Sequence, residues 1–283
     1  MSTPSGNDQP AAPRRRKLPP KFHRVTVQAI EELTPRMRRI TFRGADLASY
    51  PNDGPATHFK LLLPPVGSAQ LILPEVTPEW TGWPAGADQP IRRTYTPRRV
   101  DTAAAQLVID FALHPHGAGP ASAWAAAAEV GDETVVTGGR GAYRVDPAAD
   151  WTLMAGDETA LPAIATVLED AAVHAPDAQI LVFAEVADRA DRIDLPVTAG
   201  TRLHWIHRGE ATAGTVAAAA VVDAQLPAGD GRAWVGLEAA AMRTVRRHLL
   251  HERRLDRSAL HTRAYWKFDT AGHRDSDSGE DVD

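Results

Sequence analysis

A single change of rhythm near the middle of this chain restricts its fold more than any other feature. From residue 21 to 137 the sequence breaks into short strand-like runs: His23–Ile30, Met37–Phe42, His58–Leu63, Arg92–Arg98, Gln106–Leu113 and Glu133–Thr137, with Gly and Pro between them. Runs of that length and spacing suit a small antiparallel six-stranded β-barrel. One short Ala-rich helix is expected at Ala121–Glu129, and Pro64 to Pro90 reads as a long connection. After Arg144-Val145-Asp146-Pro147 the rhythm becomes strand, helix, strand. Trp151–Ala155, Ile180–Val186, Leu203–His207, Ala233–Gly236 and His261–Phe268 read as strands. Leu161, Ile164, Ala165 and Leu168 keep helical spacing behind Thr159, the expected cap, and a basic helix is expected from Ala239 to Arg254. Such alternation argues for a parallel sheet with helices on both faces. The expected class is therefore a two-domain α+β protein. An antiparallel barrel occupies residues 21–146 and a parallel-sheet α/β domain 147–270, between a basic tail (1–20) and an acidic tail (271–283). Both tails have the composition of disordered segments.

Composition removes several chemistries. The 283 residues contain no cysteine, which excludes disulfides, thiolate metal sites, cysteine-held iron–sulfur clusters and thiol catalysis. Redox work in such a chain falls to an organic cofactor. A formal charge of −5 gives no general pull toward nucleic acid, and the Arg14–Lys17 run reads as part of a solvated tail. No apolar run reaches the ~20 residues that span a bilayer. No apolar stretch follows the basic run as a secretory leader requires, so a cytoplasmic monomer is expected. His204 and His207 lie three apart on a strand and face opposite ways, while His248 and His251 sit among Arg246, Arg247, Arg253 and Arg254; neither pair suits a metal.

Three segments carry candidate chemistry. In Arg92-Arg93-Thr94-Tyr95-Thr96-Pro97, strand alternation puts Arg93 and Tyr95 on one face. The arginine fork suits a pyrophosphate, the tyrosine ring a flat heteroaromatic, and the Thr96 hydroxyl a ring nitrogen or carbonyl. A half-exposed edge strand is the structural alternative. The second segment, Asp110-Phe111-Ala112-Leu113-His114, leads through Gly117 to Gly119-Pro120-Ala121-Ser122-Ala123-Trp124. A Gly-rich turn entering a helix leaves N–H groups free for phosphate, and His114 at the strand end can stack on a cofactor or remain a turn histidine. The third, Met154-Ala155-Gly156-Asp157-Glu158-Thr159-Ala160-Leu161-Pro162, is strand, tight turn and helix with Pro in the first turn, the layout of a dinucleotide site. It lacks the G-x-G-x-x-G spacing, and Asp157 and Glu158 would repel a pyrophosphate resting on the helix end. Capping is their structural alternative.

In this order the three segments resemble the siderophore-interacting protein family, the ferric-siderophore reductase branch of the ferredoxin–NADP reductase superfamily, from about residue 21 to 268. The resemblance implies FAD held without a covalent bond by Arg93, Thr94, Tyr95 and Thr96. Further flavin and phosphate contacts would come from Asp110, Phe111, Leu113, His114, Gly119, Pro120, Ala121 and Ser122. NADPH or NADH would enter over Gly156, Asp157, Glu158 and Thr159, with Glu238 beside them; reduced ferredoxin is an alternative donor. The substrate would be a ferric siderophore lined by Lys60, Arg140 and Lys267, with iron as substrate and no resident metal. No side chain is implied as acid, base or nucleophile, since the cofactor carries the chemistry. Arg189 and Arg192 could pair with a 2′-phosphate. The chain has Gly236-Leu237-Glu238 where the family has A-G-E, and Ala264-Tyr265-Trp266-Lys267 where it has G-Y-W-R, which leaves nicotinamide and substrate preference open. A reductase serving another protein or a small acceptor, and a non-catalytic siderophore-binding flavoprotein, remain the alternative readings.

Overall fold

The computed structural model describes residues 21–270 except 66, 67, 69, 70, 77–80, 84, 85, 87 and 115–118. Both tails and Gly117 lie outside the described residues.

The first half carries strands β1 (Phe22–Thr34), β2 (Met37–Arg43), β3 (Phe59–Leu63), β4 (Glu75–Val76), β5 (Thr81–Gly82), β6 (Ile91–Tyr95), β7 (Arg99–Asp101), β8 (Gln106–Ala112) and β9 (Glu133–Thr137), with helix α1 (Pro120–Ala127) between the last two. Seven of them form one antiparallel sheet in the order β6-β3-β9-β1-β2-β8-β7; β4 and β5 pair separately. The three-residue β7 is the strand added to the expected six. Alternation along the strands decides which side is core. Val25 and Val27 of β1, Ile40 and Phe42 of β2, Phe59, Leu61 and Leu63 of β3, and Leu107, Ile109 and Phe111 of β8 enclose one apolar cluster. α1 closes it with Ala121 and Ala125 while Trp124 stacks on Phe42 at 6.3 Å. Across the rolled sheet the Tyr95 ring meets Phe111 at 4.6 Å. Truncating a side chain as enclosed as Phe42 costs about 3–5 kcal/mol.

The second half carries β10 (Trp151–Gly156), α2 (Leu161–His174), β11 (Ile180–Val186), β12 (Thr201–His207), α3 (Thr215–Asp223), β13 (Gly231–Glu238), α4 (Ala239–Arg247) and β14 (Leu260–Trp266). All five strands are parallel, in the order β12-β11-β10-β13-β14. Every residue of β10 is buried because helices cover both faces. Met154 points into the α2 layer with Leu161, Ile164 and Leu168, whereas Leu153 and Ala155 point into the α3–α4 layer with Val221, Met242 and Val245.

Three local expectations are corrected. α2 starts at Leu161 behind Ala160, and Thr159 does not cap it; its hydroxyl turns back onto Asp157. α3 was not expected, because an Ala/Val run has no polar face to reveal a period. The Glu185 carboxylate fixes its start, accepting from the N–H groups of Gly214 (2.6 Å) and Ala217 (2.8 Å). α4 ends at Arg247 and continues as a π-helical turn over His248–Glu252.

The halves meet along the outer face of α2. Thr166 Oγ1 accepts from Ala56 N at 2.9 Å, Glu169 takes both arms of Arg98 at 2.9 and 2.6 Å, and Asp170 lies 3.4 Å from Arg144. Residues 166, 169 and 170 share one helical face. Arg36 adds bonds to Asp191 (2.7 Å) and Asp188 (3.3 Å), and Met37 enters the α2 core.

Candidate functional site

In an open parallel sheet, ligands bind beyond the C-terminal strand ends where the strand order reverses. Here that point lies between β10 and β13, and Gly156 is registered against Gly236 there. A Cβ on Gly156 would lie 2.6 Å from Ala160 Cβ and 3.2 Å from Gly236 O, so only glycine lets the turn close. Across this point stands the barrel, where His114, just past β8, lies 6.3 Å from Trp266 of β14.

On β6 the alternation is clear: Arg93 and Tyr95 are half-buried on one face, while Arg92 and Thr94 are exposed. Burial pushes the Tyr95 hydroxyl well above its usual range. The Arg93 guanidinium donates to the Arg92 carbonyl at 3.0 Å. Thr94 accepts from the Lys60 ammonium. Thr96 is buried; burial raises the Tyr265 hydroxyl well above its usual range, and Thr96, from the other half of the chain, lowers it to a smaller extent.

Beside β6 lies the second segment. Asp110 is buried and held by Arg39 through two bonds of 2.7 and 2.8 Å, with Arg98 at 4.0 Å, so its carboxylate organises the barrel wall. Phe111 is core. Leu113 N donates to Arg36 O at 2.8 Å, and His114 N to Ser122 Oγ at 2.9 Å, which ties the strand end to the helix start. Burial lowers the His114 pKa below its usual value; Glu158 raises it and Arg208 lowers it to smaller extents. Gly119 precedes α1 with Pro120 in the first turn, and among the described residues a Cβ on Gly119 would meet nothing within 4 Å. The N–H groups of Ala121 and Ser122 belong to this open first turn. A half-buried arginine and tyrosine on one face, beside an open helix N-terminus, fit the phosphates and ring of FAD.

The acidic turn is arranged differently from a bare anion-repelling end. Asp157 is fully buried; Oδ1 accepts from Thr159 N (2.9 Å) and Thr159 Oγ1 (2.5 Å), and Oδ2 from the Trp266 indole (2.9 Å). Burial, then the neighbouring Glu158 charge, push the Asp157 carboxyl up to about 7. Glu158 is gripped by Arg208 through two bonds, 2.7 and 2.5 Å, and the same guanidinium lies 3.7 Å from Glu185. Its charge is thus compensated inside the protein, which removes the expected repulsion. Glu238 caps α4 through Ala240 N (2.5 Å) and Ala241 N (3.3 Å) and accepts from Phe268 N (3.2 Å). The Trp266 ring lies 6.3 Å from His114, so Asp157, Trp266 and His114 run in line from one domain to the other.

Lys60 is half-buried on β3 and Arg140 exposed in the turn after β9, while Lys267 is exposed past the end of β14. Burial, then the charge of Arg263 on β14, lower the His58 pKa to about 4. Arg189 is exposed; Arg192 lies 5.8 Å over Trp205 and donates to His207 Nε2 at 3.0 Å. His204 stacks on Phe183 at 5.0 Å, and His248 Nδ1 sits 3.1 Å from Glu252. Among the described residues no group of three or more His, Asp or Glu side chains could hold a metal. Arg208, Tyr265, Arg263 and His58 were not singled out from the sequence. Their positions in or beside strands gave no sequence signal and acquire meaning only once the two domains are docked.

Comparison with known proteins follows the same division. Residues 14–143 match the family described as siderophore-interacting FAD-binding domain, and residues 149–269 match siderophore-interacting protein. An uncharacterised protein of Mycobacterium tuberculosis is 38% identical over 193 residues, which cover 66% of each chain. An Escherichia coli protein named NADPH-dependent ferric-chelate reductase is 30% identical over 260 residues, 92% of this chain and 98% of its own. The crystal structure of a siderophore utilization protein from T. fusca superimposes with a TM-score of 0.80 at 35% identity, covering 92% of this chain and 98% of that one. Both halves of the chain match, and it belongs to the siderophore-interacting protein family.

Proposed function

We propose that the chain is a FAD-dependent ferric-siderophore reductase, drawing electrons from NADPH or NADH and releasing iron as Fe(II). One observation carries this reading: Trp266 of β14 bonds Asp157 in the switch-point turn at 2.9 Å and lies 6.3 Å from His114 just past β8, which sets two of the candidate segments against each other. The E. coli relative's printed name supports the ferric substrate and favours NADPH as donor. No helix among the described residues is long and apolar enough to cross a membrane, which is compatible with work in the cytoplasm.

FAD, when bound, supplies the conversion of a two-electron donor into single electrons for ferric iron. The protein's residues hold and orient. Arg93 and the first-turn N–H groups of Ala121 and Ser122 hold phosphate oxygens, and Tyr95 and His114 offer flat faces to the ring system. Thr96 supplies the hydroxyl beside it. The turn from Gly156 to Thr159 would receive the nicotinamide at the sheet end, while Asp157, Glu158 and Glu238 act by fixing Trp266, Arg208 and α4. Lys60, Arg140 and Lys267 line the mouth in this reading, so that an anionic chelate is drawn in. Reduction weakens the hard oxygen ligation of iron, and the site needs no acid or base to release it. In this reading residues 21–146 hold FAD and residues 147–270 the nicotinamide.

The test is a ferrous trap. FAD-loaded protein is given NADPH or NADH with ferric hydroxamate or catecholate chelates and a chromogenic Fe(II) chelator. Trapped Fe(II) in step with nicotinamide oxidation is the expected result. Flavin reduction with no trapped iron would instead indicate another acceptor, and absence of flavin reduction a binding protein.

A further inference from the structure

The carboxyl groups of Asp157, Glu158 and Glu185 crowd the switch-point turn, all of them buried, and a single guanidinium serves two of them. Arg208 bonds Glu158 twice and lies 3.7 Å from Glu185. Asp157 is left out: among the described residues it forms no ion pair. Its partners are neutral donors. The Thr159 N–H (2.9 Å) and hydroxyl (2.5 Å) reach Oδ1, and the Trp266 indole (2.9 Å) reaches Oδ2. The other titratable groups around it come from three elements. Glu238 at the end of β13 is engaged by the first N–H groups of α4. Tyr265 on β14 has its hydroxyl raised by burial and, less strongly, by the Asp157 charge. His114 of the barrel lies against the Trp266 ring.

A buried carboxylate without an ion-pair partner tends to neutralise rather than keep its charge. Burial, then Glu158, raise Asp157 to about 7, against the opposing pull of its three donors. Its carboxyl is therefore poised near neutral pH, and further negative charge brought beside it favours the protonated form. A nicotinamide dinucleotide carries such charge in its pyrophosphate. Of residues 156–160 only Thr159 is not buried, so a ligand over the turn meets Thr159 and not Asp157. While Asp157 is ionised, the Thr159 hydroxyl donates inward to Oδ1. Once Oδ1 is protonated, the carboxyl donates to Thr159 Oγ1 instead, and the hydroxyl proton turns outward.

We propose that Asp157 is a positioning residue for the nicotinamide donor, taking up a proton from solvent as the dinucleotide docks and so turning the Thr159 hydroxyl toward an acceptor oxygen of the ligand. The proton returns to solvent when the dinucleotide leaves. This rests on the nicotinamide-dependent reductase reading and adds to it a proton coupled to donor binding.

Calorimetry of the FAD-loaded full chain with NADP+, and in parallel NAD+, reads that proton when run in buffers of different ionisation enthalpy; neither oxidised dinucleotide can reduce the flavin. At about pH 8 the wild type should take up more than about half a proton per dinucleotide beyond any uptake by Asp157→Asn. A carboxyl ionised in the free protein and protonated in the complex strengthens binding as the pH falls. Wild-type affinity should therefore rise up to about tenfold per pH unit from about 8.5 to 7 and level off below, where free Asp157 already holds its proton; Asp157→Asn should lack that slope. Thr159→Val should weaken the dinucleotide roughly three- to tenfold near pH 7, and Thr159→Ser, which keeps the hydroxyl, should bind like wild type. Flavin absorbance and melting temperature check that each variant is folded, and the wild-type proton count stands without any variant. Absence of uptake in the wild type at about pH 8, uptake equal to that of Asp157→Asn, or unchanged affinity in Thr159→Val overturns the proposal even if the ferrous trap succeeds. A chain that binds neither dinucleotide at any pH removes the nicotinamide reading itself, on which the proposal rests.

Discussion

Replacing Arg208 with alanine tests whether the acidic turn owes its tolerance to internal pairing. Glu158 is 6% exposed and Glu185 fully buried, and the Arg208 guanidinium bonds the first twice and approaches the second at 3.7 Å. Removing it strands two buried carboxylates, and breaking a buried pair in this way costs about 3–5 kcal/mol. At about 2–4 °C per kcal/mol for a chain of this size, the melting temperature should fall by roughly 6–20 °C. Thermal and urea melts, read by circular dichroism, measure the loss. The deficit should shrink as the pH is lowered, because stranded carboxylates take up protons. A double variant, Arg208→Gln with Glu158→Gln, should recover part of it by removing one stranded charge. If Arg208→Ala melts within about 0.5 kcal/mol of wild type, the pair does not hold the turn and the reasoning fails.

Three further outcomes are expected. Arg93→Ala should purify folded but largely colourless, since losing a charge-assisted phosphate contact costs about 1.5–3 kcal/mol, or one to two decades of FAD affinity; a stoichiometrically yellow variant removes Arg93 from the site. Asp157, raised from 3.8 to about 7 in the fold, contributes stability that is fully present below 3.8 and is lost as the pH rises through about 7. Melting temperatures taken across that window should therefore decline more steeply in the wild type than in Asp157→Asn, and parallel curves would count against the buried carboxyl. Gly156→Ala forces a Cβ to 2.6 Å from Ala160 Cβ and should cost about 1–3 kcal/mol of stability, seen as a lower urea midpoint; an unchanged midpoint would mean that the turn can open freely.

The architecture was readable because its causes are local. Alternation in Val25, Val27, Ile40 and Phe42 marks a one-sided sheet, and Leu161, Ile164 and Leu168 mark a helix lying on another. The shared face of Arg93 and Tyr95 followed from the same period of two. What stayed hidden depends on partners distant in sequence. Asp110 looks like a ligand until Arg39 on β2 is found against it, 71 residues away. Glu158 looks repulsive until Arg208, 50 residues on, closes over it. Arg263 carries no motif, yet its charge acts on His58 of the barrel, an effect that only the docking of β14 can produce. The start of α3 had no local signal, since its cap is supplied by Glu185 on β11.

The polar stripe on α2 has a consequence for how such proteins can be recombined. Thr166, Glu169 and Asp170 belong to the second half of the chain, but their partners Ala56, Arg98 and Arg144 belong to the segment before β10. A chimera cut between β9 and β10 would thus bring in a foreign α2 facing native anchors, or the reverse. Each mismatch would leave the nicotinamide half mis-set relative to the barrel, even with both cores intact. The heritable module is accordingly the α/β half together with its matching positions on the barrel, and transplanted halves should work only when those three contacts travel with them.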